Sequence, residues 1–97
     1  MSENFEGKKR LNESIDIYID CSDTFALTDP ADQIDNVVWA VEDGDISTSL
    51  PRVEGTDLAI VRVSGGTKLY SWHSVRATIT CVSGQVYTPL VEIQLIR

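Results

Sequence analysis

The residues able to do chemistry are few. The chain has one histidine, His73, and two cysteines, Cys21 and Cys81. General-base catalysis most often uses a histidine oriented by a carboxylate, with a nucleophile in reach. His73 lies in Tyr70-Ser71-Trp72-His73-Ser74, and its neighbour Ser74 is the nearest hydroxyl in sequence. Adjacent residues of a strand point to opposite faces, so the two cannot form a dyad. A surface or loop position beside Trp72 is the expectation for His73.

The carboxylates offer two clusters, Asp29, Asp32 and Asp35, then Glu42, Asp43 and Asp45 around Gly44. Oxygen ligands in such density suit Ca²⁺, but neither run has the alternating acids ending in Glu that a calcium loop requires. Turn chemistry and a solvated negative surface account for both. Paired carboxylates for glycoside hydrolysis would need a cleft that a small sandwich does not offer. The cysteines lack a CxxC pairing or a nearby histidine, which argues against zinc. Two buried thiols are favoured over one bridge. Gly65-Gly66 is followed by no Lys-Ser or Lys-Thr at P-loop spacing and reads as a strand connection. The expectation is therefore no catalytic residue, no cofactor, no metal ligand and no enzyme activity. What remains for function is contact surface. Tyr70 and Trp72 beside a turn suit a binding hot spot or a sugar platform, and equally residues of the sandwich edge.

Composition agrees. A chain of 97 residues is one domain. A formal charge of -7 disfavours a phosphate backbone as partner. Lys8-Lys9-Arg10 is the one basic cluster, too small for a nucleic-acid patch. No apolar run approaches the ~20 residues of a membrane helix, so neither nucleic acid nor membrane is expected as partner. The first dozen residues contain no apolar stretch of the kind a secretory leader needs. Mean hydropathy is -0.06, that of an ordinary globule.

The elements that must position these residues are strands. Ile15, Ile17 and Ile19 alternate with polar residues, and Cys21 continues their face. Val37, Trp39 and Val41 share another face, which places Trp39 between sheets; Glu42-Asp43-Gly44-Asp45 turns the chain after them. Ile46–Leu50 is a short strand expected to end at Pro51. Ala59, Val61 and Val63 face one way. Val75, Ala77, Ile79 and Cys81 alternate with Arg76, Thr78 and Thr80, and Val91, Ile93 and Leu95 alternate with Glu92 and Gln94. Pro89 marks a bulge or an edge before them. Period two throughout, with Gly, Asp and Pro between runs, specifies an all-β sandwich of about 6–8 strands over residues 14–97. Residues 1–13 show no periodicity and read as an N-terminal arm. The Met1 start and the strand running to Arg97 favour a whole small protein.

Cys21, Trp39 and Cys81 on three strands resemble the Cys, Trp, Cys order of immunoglobulin-like domains. The tyrosine corner of that family would fall at position 79, which is Ile79. The acidic body, the arm, the Ile15–Cys21 and Val37–Val41 strands, Val61-Arg62-Val63-Ser64-Gly65-Gly66-Thr67 and the Val75–Thr80 strand before Ser83-Gly84 are similar to small tailed-phage structural proteins. Those include fibre-to-tail adaptors and minor virion proteins built on immunoglobulin-like domains. The resemblance implies a non-enzymatic component of the virion, in the tail, neck, fibre or capsid. It would be assembled in the bacterial host cytoplasm, in contact with other virion proteins and with copies of itself. The interface candidates are Phe5, Lys8, Lys9, Arg10 and Leu11 of the arm, with Tyr70 and Trp72. A carbohydrate- or ligand-binding sandwich module is the alternative.

Overall fold

A computed structural model describes residues 4–27 and 30–97. Eight strands and one helical turn follow in order: β1 (Asn4–Arg10), β2 (Ile15–Asp20), α1 (Ser22–Phe25), β3 (Ile34–Asp43), β4 (Ile46–Glu54), β5 (Leu58–Gly65), β6 (Trp72–Cys81), β7 (Val86–Tyr87) and β8 (Leu90–Ile96). They form two sheets. One runs β1-β8-β6-β3 with β7 also paired to β6, and the other runs β2-β5-β4.

The alternation explains the packing. Ile17, Ile19, Val61 and Val63 project from the smaller sheet, and Val75, Ala77, Ile79, Val91 and Ile93 from the larger, all into one core. A fully buried Ile or Val contributes about 1.5–3 kcal/mol relative to exposure. Truncating Ile19 or Ile79 to Ala should cost about 2–5 kcal/mol. Cys21 and Cys81 are buried in the same core as free thiols. Burial pushes the Cys21 thiol up to about 11 and raises that of Cys81.

The strand order is that of an immunoglobulin-like sandwich. β2, β5 and β4 take the places of strands B, E and D, and β3, β6 and β8 those of C, F and G. Cys21 therefore follows the B strand, Trp39 lies on C and Cys81 ends F, as their order in the sequence implied. The first strand departs from the constant-type pattern by pairing with β8 of the other sheet, in parallel, from Asn4↔Leu90 to Arg10↔Ile96.

Four expectations need correction. Residues 4–10 are a strand within the chain's own sheet and not an arm awaiting a neighbour. The reason is Lys9, which is opposite Leu95 on the inner face and fully buried. Its Nζ donates to the Arg10 carbonyl at 3.0 Å, so the methylene stem packs while the ammonium finds a backbone acceptor. Pro51 does not end β4. The strand continues to Glu54 through an irregularity between Ser49 and Arg52, with Leu50 at φ 51°, and it tolerates proline because β4 is an edge. Trp39 is only half-buried. β3 and β4 are the facing edges of their sheets, and a shallow groove lined by Val37, Trp39, Thr48 and Pro51 opens between them. His73, expected at the surface, is fully buried.

Candidate interaction surface

Register across three strands builds the site. Lys8 of β1 pairs with Gln94 of β8, and Gln94 pairs with Trp72 of β6. Their side chains alternate with the buried Lys9, Leu95 and His73, so all three stand on the outer face of the larger sheet. Gln94 Nε2 donates to the Tyr70 carbonyl at 3.3 Å. The Tyr70 amide donates to the Leu95 carbonyl at 2.6 Å, and the Leu95 amide to the Ser71 carbonyl at 3.2 Å. Two backbone bonds thus sew the 70–71 loop onto β8. Tyr70 is held at φ 61°, a left-handed conformation that costs a tyrosine energy and is retained by this stitching. Tyr70 and Trp72 are 64% and 44% exposed, large apolar surface on a fixed backbone.

The cations complete the patch. Arg10 pairs with Ile96 at the neighbouring position, and the half-buried Leu11 donates its amide to the Ile96 carbonyl at 2.7 Å. Arg97 follows directly, and Lys68 sits in the loop before Tyr70. Arg52 and Arg62 both bond Asp16, and Arg76 bonds Glu42. Lys8, Arg10, Lys68 and Arg97 are left without an ion pair among the described residues. All four belong to this one end of the sandwich. Glu13, Asp43 and Asp45 are also at this end, and Asp45 is committed to Thr67, accepting from its hydroxyl at 2.5 Å and its amide at 3.1 Å. That hydroxyl bond holds the Asp45 carboxyl below the usual carboxylate range.

Of the sequence candidates, then, Lys8, Arg10, Leu11, Tyr70 and Trp72 come together. Lys9 does not, because it faces the core. The Phe5 side chain lies outside the described residues, as does Asp29 of the acidic loop.

His73 has no catalytic surroundings. Nδ1 lies 3.7 Å from Asp45 Oδ1, neither ring nitrogen has a hydrogen-bond partner, and the ring is sealed beneath Gly44. Ser74 stands on the opposite face, as its position in β6 dictates. The imidazole is fully buried. Among the described residues no group of three His, Cys, Asp or Glu is placed to hold a metal ion, and no helix is long and apolar enough to cross a membrane.

The opposite end has a contrasting character that sequence reading missed. Asp20, Asp23, Asp32, Asp35, Glu54 and Asp57 gather there, because Asp20 and Glu54 both oppose Leu58 and the Cys21 amide bonds the Asp57 carbonyl. Segments 20–35, 54–57 and 81–86 contain no Lys or Arg. A shallow pocket of about 380 Å³ opens among them, lined by Pro30, Ala31, Asp32, Gln33, Val82 and Ser83. Asp32 accepts from the Ser83 hydroxyl at 2.5 Å and shapes one wall. Val82 is exposed at the pocket, and Leu27 and Val86 are also exposed. The available signal was Val82, an apolar residue directly before the Ser83-Gly84 turn and out of step with the β6 alternation.

A family model described as podophage GP4 fiber-tail adaptor protein gp77 matches residues 9–94. No curated protein matches the chain. Among solved structures, the 2,6-sialyltransferase of the Vibrionaceae bacterium Photobacterium sp. JT-ISH-224, in a complex with CMP and lactose, is similar with a TM-score of 0.59 and 9% identity. The likeness covers 99% of this chain and 18% of that enzyme, so the chain spans under a fifth of its length. At that identity the likeness concerns the fold alone.

Proposed function

The chain belongs to the podophage GP4 fiber-tail adaptor family, and from that premise we propose that it joins virion proteins through the Lys8–Gln94–Trp72 end of its larger sheet. Membership makes it a structural component of a phage particle. The proposal concerns how it makes contact and that it does so without catalysis. The observation that carries it is the in-register row of Lys8, Gln94 and Trp72, with Tyr70, Arg10, Lys68 and Arg97 around it. Exposed aromatics flanked by unpaired cations, on strands and on a loop sewn to a strand, form a rigid anchor patch. Aromatic and arginine anchors dominate binding energy at protein interfaces. A rigid patch also loses little conformational freedom on docking. The partner would present acidic and apolar surface. Repetition of one modest contact in a symmetric particle raises its effective strength by avidity. Assembly in the reducing host cytoplasm suits the two free thiols.

The test is a phage carrying Tyr70→Ala and Trp72→Ala in this chain. Both side chains are exposed, so the purified variant should melt like the parent. The expected result is particles that lack this protein or the fibre attached through it. Normal incorporation with an unchanged melt would reject this surface as the connector. Sugar-dependent changes in Trp72 fluorescence with normal assembly would favour the ligand-binding alternative.

A further inference from the structure

We infer that the pocket at the acidic end receives the Tyr70–Trp72 end of a second copy, so that copies associate head to tail. The inference rests on the reading of the 70–72 end as an interface and names one partner for it.

Three observations carry it. First, the pocket between Pro30 and Val82 is mostly apolar, with the Asp32 carboxylate in its wall and Val82 exposed at it. Such a concavity takes an aromatic side chain whose flanks are cationic. Second, the chain itself carries that knob at its far end. Trp72 and Tyr70 are exposed there beside Lys8, Arg10, Lys68 and Arg97, none of which has an ion-pair partner among the described residues. Third, the two ends differ in charge balance, the knob end mixing its cations with Glu13, Asp43 and Asp45. The pocket end gathers Asp20, Asp23, Asp32, Asp35, Glu54 and Asp57 with no Lys or Arg in segments 20–35, 54–57 and 81–86, whereas the knob end holds all the unpaired described cations. The strands run between these ends of a body 45 Å long and 22 by 17 Å across, so one copy cannot fold its knob into its own pocket.

The contact joins unlike surfaces, so it is heterologous. Such a contact leaves a free knob and a free pocket on every dimer, and association continues until a ring closes or a chain of copies grows. Charge supplies part of the attraction, and salt at 0.5 M should weaken it because exposed charges are screened beyond a few ångströms.

Sedimentation velocity of the purified chain and of two variants tests this. Trp72→Ala with Tyr70→Ala removes the knob. Val82→Lys blocks the pocket at an exposed position whose backbone amide alone is used, by the Gln33 carbonyl. The parent chain at 50 mM salt and rising concentration should form species larger than a dimer, and these should dissociate at 0.5 M salt. Each variant alone should stay monomeric. An equimolar mixture should form a one-to-one dimer and nothing larger, since only one productive contact remains. A parent chain that stays monomeric at millimolar concentration overturns the inference, as does unchanged association of either variant. Unchanged self-association of both variants, with loss of particle incorporation in Trp72→Ala with Tyr70→Ala, would reject the second copy as partner and leave the proposed connector standing.

Discussion

A Cβ built on Gly44 would lie 1.9 Å from Nδ1 of His73. The β3–β4 turn can therefore close over the buried imidazole only if its central residue has no side chain. Gly44 is also at φ 104°, where any L-residue is strained. Gly44→Ala should cost about 2–4 kcal/mol from overpacking and backbone strain together, lowering the melting temperature by about 10 °C or more. Replacing His73 by Ala in the same chain should return part of that loss, although it leaves a cavity of its own. A double-mutant cycle reads the coupling. Additive effects of the two substitutions would show that the ring and the turn do not press on one another.

Deleting residues 1–11 should destabilise the domain. The deletion removes β1 and its seven paired positions along β8, and uncovers the fully buried Leu95 and Ile93. Exposing even half of each side chain costs about 1.5–3 kcal/mol in total. Thermal unfolding of the truncated chain checks this. A melt within a few degrees of the parent would mean that β1 docks without contributing to stability.

Trp39→Ala should cost about 2–3 kcal/mol, below the 3–5 of a fully enclosed tryptophan. The ring packs on the core from an edge strand, and the groove beside it leaves room for solvent to replace part of what is removed. Urea unfolding measures the difference. A loss above about 4 kcal/mol would place the ring deeper than the edge position allows.

Cys21 and Cys81 should resist alkylation in the folded chain and label fully once it is denatured without reductant. With the Cys21 thiol pushed up to about 11 by burial, only about one molecule in a thousand carries the reactive thiolate at pH 8. Mass spectrometry after native and denaturing labelling separates the cases. Failure of both to label under denaturing conditions would show a disulfide.

Stability should fall in acid and hold near neutrality. The Arg62 and Arg52 guanidinium groups hold Asp16 below its ordinary value, and the Arg76 guanidinium does the same for Glu42. The Ser83 hydroxyl lowers Asp32 and the Thr67 hydroxyl lowers Asp45. Carboxyls depressed in the folded state stabilise it above their unfolded values, near pH 4, and that contribution is lost as pH falls through the folded values. Urea midpoints at pH 3, 4, 5 and 7 should be level from 7 to 5 and drop below 4. A midpoint unchanged at pH 3 would mean these bonds do not distinguish folded from unfolded chain.

Strands announced by strict alternation were legible. β2, β6 and β8 each place aliphatic residues at every second position, and a period of two has one solution at a half-buried face. β1 was not legible, because Asn4-Phe5-Glu6-Gly7-Lys8-Lys9-Arg10 puts a lysine where an aliphatic residue would mark the inner face. Only the tertiary context offers its stem a wall and its ammonium a carbonyl. His73 hides in the same way, a polar residue at an inner position of β6. At the candidate surface, residue types pointed to Lys8, Arg10, Tyr70 and Trp72 one by one. Their common location depends on the parallel pairing of β1 with β8, which relates positions at opposite ends of the chain and leaves no local trace. The pocket beside Val82 depends likewise on the 30–33 loop crossing to meet the 82–83 turn.

That parallel pairing also sets an order of events in time. β1 finds its hydrogen-bond partner, from Asn4 with Leu90 to Arg10 with Ile96, only after all the strands between them have been synthesised. Pairings so distant in sequence give high contact order, and such sandwiches fold in milliseconds to seconds where helical bundles take microseconds to milliseconds. Until β8 arrives, β6 presents an open edge with Val75, Ala77 and Ile79 on its apolar face, a template for pairing with any other nascent copy. The strong negative charge of the chain then acts as a kinetic safeguard, keeping unfinished molecules apart until β8 is made.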